Sequence, residues 1–131
     1  MLKTLSIENI AVIEKAVIEF ENGFNVLTGE TGAGKSIVID SLNAVLGERT
    51  SRDLIRNGEE KAIVNAYFEN VSDSVIKILS EYGIECDRDL YISRQLSSNG
   101  KTVCKVNSMN ITASMLKEIG RKLVNIHGQH D

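Results

Sequence analysis

At 131 residues, with 42% hydrophobic and 25% charged side chains, the chain has the size and apolar content of one folded domain, which excludes a low-complexity or disordered segment. Its formal net charge of −3 and pI near 5.4 give no bulk attraction for nucleic acid, so any such contact requires a local basic patch. No run approaches the ~20 apolar residues that span a bilayer, and Met1-Leu2-Lys3-Thr4-Leu5 lacks the charge-then-apolar order of a leader, so a cytoplasmic chain with no membrane partner is expected.

Taken in order, Leu5 and Ile7, then Ala16, Ile18 and Phe20, alternate with polar neighbours and predict two half-buried strands separated by a turn at Glu8-Asn9-Ile10. Glu21-Asn22-Gly23 turns the chain into a short apolar strand, Phe24 to Leu27. The next eight residues, Gly29-Glu30-Thr31-Gly32-Ala33-Gly34-Lys35-Ser36, match the phosphate-binding pattern G-x-x-x-x-G-K-[ST] at every fixed position. A predicted helix, Ser36 to Leu46, follows and is closed by Gly47, so the pattern stands between a strand and a helix as its chemistry requires.

The glycines of this loop let the backbone turn N–H groups inward around a polyphosphate, and the helix behind them adds its positive dipole end. Lys35 is then placed to reach the β- and γ-phosphates of ATP as a point charge, and the Ser36 hydroxyl to join the shell of a Mg²⁺ ion. A chance glycine-rich turn is the alternative, and it does not account for four fixed positions in that setting.

Glu48 to Gly58 is a charged loop carrying Arg49, Arg52 and Arg56 near the presumed phosphate site, where guanidinium groups contact phosphates or are simply solvated. Ala62, Val64, Ala66 and Phe68 predict an amphipathic strand of the antiparallel kind. Ser72 caps a helix bearing Val75, Ile78, Leu79 and Tyr82, which stops at Gly83. Leu90, Ile92, Arg94 and Leu96 predict another strand, joined through the turn Asn99-Gly100 to Lys101 to Val106. Arg94, Lys101 and Lys105 are expected on one ribbon, as a small DNA-facing patch or a solvated hairpin face. Thr112 caps a last helix with Leu116 and Ile119, and Lys122 to Ile126 reads as a core strand ending in His127-Gly128-Gln129-His130-Asp131.

That polar cluster lies where ligands collect in α/β sheets, beyond the carboxyl end of a strand. His127 and His130 lack a third metal-ligand partner, whereas Gln129 can hold Mg²⁺ through its amide oxygen and orient a water. Cys86 and Cys104, with no C-x-x-C spacing, read as reduced, buried small hydrophobes. No linker signal marks an internal domain boundary.

The stretches Leu5 to Glu14, Gly23 to Asp40 and Asn125 to Asp131 resemble the N-terminal part of the RecN family, bacterial DNA double-strand-break repair ATPases of the SMC-like branch of the ABC ATPases. The resemblance implies an α/β P-loop NTPase of ABC/SMC type, of which residues 1–131 are the N-terminal lobe of the head, with an antiparallel β subdomain and part of the core sheet. It implies a Walker A loop in which Gly29, Glu30, Thr31, Gly32, Ala33, Gly34, Lys35, Ser36 and Ile37 hold ATP, Lys35 and Gln129 serve catalysis, and Ser36 and Gln129 hold Mg²⁺. Arg56 falls near the arginine that in SMC-like heads contacts the nucleotide and the DNA-sensing surface. The implied partners are DNA, through the full-length protein, and a second ATPase head in a homodimer; the implied location is the nucleoid. The second lobe, with its signature helix and Walker B acids, and the coiled coil are absent from this sequence, so the fragment alone is expected to be inactive. Two further classes stay open from the residues: a self-contained phosphotransferase, and a nucleotide-sensing interaction module without turnover.

Overall fold

A computed structural model describes residues 1–20 and 32–128. The predicted strand Phe24 to Leu27, the loop residues Gly29, Glu30 and Thr31, and the terminal Gln129, His130 and Asp131 lie outside the described residues.

Among the described residues, six strands form one antiparallel sheet in the order β2-β1-β3-β4-β5-β6. The first two are β1 (Leu2–Ile10) and β2 (Ile13–Glu19). Their turn comes later than the sequence suggests, because Glu8 and Ile10 still pair with Lys15 and Ile13 and the Ile10 side chain is fully buried. The reversal falls instead on Ala11 and Val12, with Asn9 and Ala11 in left-handed conformations at φ 59° and 53°. Strand β1 then pairs on its other side with β3 (Lys61–Phe68), in a register running from Leu2 opposite Phe68 to Glu8 opposite Ile63.

From β3 the sheet continues, through a connection over residues 69–89 that contains a helix, into β4 (Leu90–Ser97), and then by local reversals into β5 (Thr102–Val106) and β6 (Met109–Ile111). The β4–β5 turn is the predicted one: Gly100 takes φ 92°, and the Asn99 side-chain oxygen accepts from the Lys101 amide at 3.0 Å. Strand β6 has no counterpart in the sequence reading. Its three residues are too few to show a period, and its turn is built from Asn107 and Ser108, both at positive φ, without the glycine that usually betrays such a turn.

Alternation puts Leu5, Ile7, Ala62, Val64, Ala66, Phe68, Leu90, Ile92, Leu96, Cys104 and Val106 on one buried face. Three helices belong to the same core. Helix α1 (Gly32–Val45) packs on β1, β3 and β4, α3 (Ala113–Gly128) on β5, and α2 (Asp73–Glu81) against α3. The predicted caps are present: the hydroxyls of Ser72 and Thr112 accept from Val75 N at 3.4 Å and Met115 N at 3.0 Å.

The expected core strand Lys122 to Ile126 is wrong, for these residues are the last turns of α3. A short apolar run carries no decisive period by itself, but Leu116, Ile119 and Leu123 are all buried at helical spacing while Val124 stands 49% exposed. The apolar stripe therefore extends through residue 123 on one helix.

Helix α3 crosses the end of α1 at two glycines. A Cβ on Gly47, which also holds φ 92°, would sit 2.4 Å from the Lys117 amide nitrogen; one on Gly120 would sit 2.1 Å from the Leu46 carbonyl oxygen. Both obstacles are backbone, so a side chain at either place forces the helices apart. Gly120→Ala is expected to destabilise the chain by about 2 kcal/mol, an overpacking cost of about 3 kcal/mol less the helix-propensity gain of about 1 kcal/mol. The urea unfolding midpoint checks this, and an unchanged midpoint would show that α3 does not rest on α1 there.

Candidate nucleotide-binding site

Helix α1 begins at Gly32, a turn earlier than its apolar pattern, so the second half of the phosphate loop is itself the first turn of the helix. Gly32, Ala33, Gly34 and Lys35 thus occupy the positions whose amides point out along the axis, at the positive end of the dipole. That turn contains no acidic residue to oppose a polyphosphate. Lys35 and Ser36 are exposed and Ile37 is half-buried, while one turn further on Ser41 is fully buried with its hydroxyl donating to the Ile37 carbonyl at 2.8 Å. The end of α1 that bears the motif is accordingly accessible, and the body of the helix is anchored.

The opposite end of α1 is held by Arg94. This residue, 4% exposed, projects from β4 beneath the helix, where Nη1 donates to the carbonyls of Ala44 at 2.8 Å and Glu48 at 2.5 Å and Nε donates to Thr102 Oγ1 at 3.2 Å. The last turn of α1 has no basic residue of its own, so a cation from the sheet stands at the negative end of its dipole. Burial lowers the Arg94 pKa, and the neighbouring Cys104 opposes that shift. Burial likewise pushes the Cys104 thiol up, which keeps it protonated and inert, as expected of a small core residue.

These positions correct the expected ribbon of Arg94, Lys101 and Lys105. Arg94 faces Cys104 across the ladder and Lys105 faces Ser93, so Arg94 and Lys105 point to opposite faces of the sheet. The signal was present in the alternation itself, since Arg94 occupies the inward register of Ile92 and Leu96. A charge at a core position is a stronger clue than a charge near other charges.

The arginine-bearing loop divides. Ser51 caps a single 3-10 turn, Arg52–Leu54, and the Arg52 guanidinium donates to the Ser98 carbonyl at 3.3 Å, joining the loop to the β4–β5 turn. Arg49 and Arg52 line a cleft beside Gly47, at the end of α1 remote from the phosphate loop. Arg56 lies elsewhere: its amide donates to the Asn9 carbonyl at 2.8 Å, Ile55 bridges to Ile10, and its own Nε is buried without a hydrogen-bond partner among the described residues. Ile55 and Arg56 are thereby clamped to the β1–β2 reversal. His127 is part of α3, and no group of three or more metal-ligating side chains occurs among the described residues. No described helix is long and apolar enough to cross a membrane.

The AAA domain family matches residues 4–130. The DNA repair protein RecN of Bacillus subtilis (strain 168) is 46% identical over 133 residues, covering 100% of this chain and 23% of that protein. RecN of Haemophilus influenzae is 39% identical over 135 residues, covering 99% of this chain and 24% of the relative. The chain therefore spans about a quarter of the length of the curated relatives it matches. Among solved structures, one from a study of ATP-driven dimerization and DNA-stimulated activation of SMC ATPases superposes with a TM-score of 0.72 at 24% identity, over 94% of this chain and 79% of that one. The recombination mediator RecF superposes with a TM-score of 0.66 at 19% identity, over 88% of this chain and 29% of its own. These likenesses show the fold to be the α/β P-loop ATPase fold of ABC/SMC type.

Proposed function

This chain belongs to the AAA domain family, and from that premise we propose that it is the ATP- and Mg²⁺-binding part of a DNA double-strand-break repair ATPase, in which two heads associate on nucleotide to control engagement of DNA. The observation that carries the proposal is the continuity of the motif with α1: Gly32 to Ser36 form the first turn and a half of a helix whose other end is fixed by Arg94. A polyphosphate fits there, because the exposed helix start offers outward amides, one mobile cation at Lys35, a hydroxyl at Ser36, and no acid. ATP supplies the phosphoanhydride whose hydrolysis reverses head association. This chain's residues bind and orient it. Gly29 to Ile37 would cradle the phosphates, Ser36 and Gln129 would hold Mg²⁺, Gln129 would also orient the attacking water, and Arg56 would contact the nucleotide or the DNA-facing surface.

Association follows from linkage: a nucleotide that touches two heads stabilises the pair by the free energy of its second set of contacts, and hydrolysis removes that stabilisation. The chain alone is expected to bind a fluorescent ATP analogue without steady-state turnover. Adding the remainder of the protein as a separate chain is expected to restore turnover that rises more steeply than linearly with concentration. In the full-length protein Gln129→Ala should slow that turnover and leave analogue affinity unchanged. Turnover by the purified chain in proportion to its concentration, abolished by Lys35→Ala, would instead establish a self-contained phosphotransferase.

A further inference from the structure

Two Asn-Gly pairs stand at exposed turns among the described residues, Asn57-Gly58 and Asn99-Gly100. In such a pair the glycine amide nitrogen can attack the carbon of the asparagine side-chain amide, because no Cβ shields its approach. The new N–Cγ bond closes a succinimide ring and the Cγ–Nδ2 bond breaks with loss of ammonia; water then opens the ring at either carbonyl, leaving aspartate or its β-linked isomer. Nothing is oxidised or reduced, and water is the only co-reactant. The step needs an asparagine side chain free to turn and a glycine amide that is not already donating.

The two pairs share their exposure and their glycine conformation: Gly58 and Gly100 hold φ 86° and 92°, with open space where a Cβ would sit. They differ in where the glycine falls in its turn. Over Ser97 to Gly100 the glycine is the fourth residue, so its N–H makes the closing bond to the Ser97 carbonyl at 2.9 Å, and the Asn99 side-chain oxygen is engaged by the Lys101 amide at 3.0 Å. Over Arg56 to Glu59 the glycine is the third residue, and the closing bond, from the Glu59 amide to the Arg56 carbonyl at 3.0 Å, leaves the Gly58 N–H out. Neither that N–H nor the Asn57 side chain has a hydrogen-bond partner among the described residues. The base of the same turn is anchored, since the Arg56 amide donates to the Asn9 carbonyl at 2.8 Å and the Asn9 side-chain amide donates to the Lys61 carbonyl at 3.2 Å. Its tip alone stands free.

We propose that Asn57 is a site of spontaneous deamidation in the folded protein, through a succinimide with Gly58, and that the same dipeptide at Asn99 is protected by its turn. The product carries a new negative charge directly after Arg56, and the β-linked isomer also lengthens the backbone there by one methylene.

The test incubates the full-length protein at mildly alkaline pH, in native buffer and in parallel in denaturing urea, and follows both asparagines by peptide mapping with mass spectrometry. In the native protein Asn57 is expected to convert at least about tenfold faster than Asn99, whose reaction must first break two hydrogen bonds. The product at residue 57 is expected as a mixture of aspartate and its β-linked isomer, formed faster as pH rises, because the attacking nitrogen has to lose its proton. In urea the gap between the two sites should close, with Asn99 gaining most. Asn99 converting as fast as Asn57 in the native protein would overturn the proposal, as would an Asn57 that stays intact there while reacting in urea. Aspartate alone at residue 57, without the isomer, would overturn the succinimide route, and a gap that persists in urea would assign the difference to neighbouring residues and overturn protection by the turn. None of these readouts involves nucleotide or DNA, so the proposal stands or falls apart from the function proposed above.

Discussion

Lys35→Ala is expected to weaken binding of a fluorescent ATP analogue by roughly 30- to 150-fold, the equivalent of losing a charge-assisted contact worth about 2–3 kcal/mol. The backbone amides of the first turn of α1 survive the substitution, and alanine is at least as good a helix former as lysine, so the cradle should keep its shape. Lys35 is exposed and its removal opens no cavity, so stability should not change. The effect is confined to the phosphate end of the ligand. Titration of parent and variant, with far-ultraviolet circular dichroism to confirm the fold, decides it, and equal affinities would remove this loop from the nucleotide site.

The second large effect is on stability. Arg94→Ala is expected to cost about 3–5 kcal/mol in urea unfolding, because it strips the donor from the carbonyls of Ala44 and Glu48 and leaves a void where the guanidinium lay. Arg94→Met, which restores most of the volume without donors, separates the two terms: the difference between the variants is the packing, and what remains is the unsatisfied backbone. Arg94→Lys should recover only part of the loss, since a single ammonium cannot reproduce the Nη1 and Nε directions together. If Arg94→Met were as stable as the parent, the C-terminal end of α1 would not depend on the sheet for its charge.

Arg94 also shows what the sequence conveys and what it withholds. Period-two alternation located β3, β4 and β5, and caps located α2 and the start of α3, because those signals are local and chemically specific. The same alternation placed Arg94 on the inner face, yet its nearness in sequence to Lys101 and Lys105 drew it into a surface patch. Two of its three acceptors, the carbonyls of Ala44 and Glu48, are 50 and 46 residues away, and no local pattern announces a partner at that distance. Lys122 to Ile126 failed for a complementary reason. Five mostly apolar residues fit a buried strand or a helix end equally well, and the helix is decided by the burial of Leu123 in one stripe with Leu116 and Ile119. The phosphate motif was legible because its chemistry fixes residue types at fixed spacing, whereas the cleft beside Gly47 was not, since its Arg49, Arg52, Lys101 and Lys117 come from three separate elements.

The seam between β1 and β3 has a further consequence. Hairpin β4–β5 closes over four residues, Ser98 to Lys101, but the connection from the end of β2 to the start of β3 runs through 41, residues 20 to 60. Closing the longer span costs about 2 kcal/mol more chain entropy, and that span contains the phosphate loop and all of α1. The β1–β2 hairpin and the strands β3 to β6 are therefore joined along the chain only through the segment that carries the phosphate motif. In the function proposed above, a triphosphate bound at this motif is expected to stabilise the folded sheet as a whole by linkage, because it binds the folded chain and not the unfolded one.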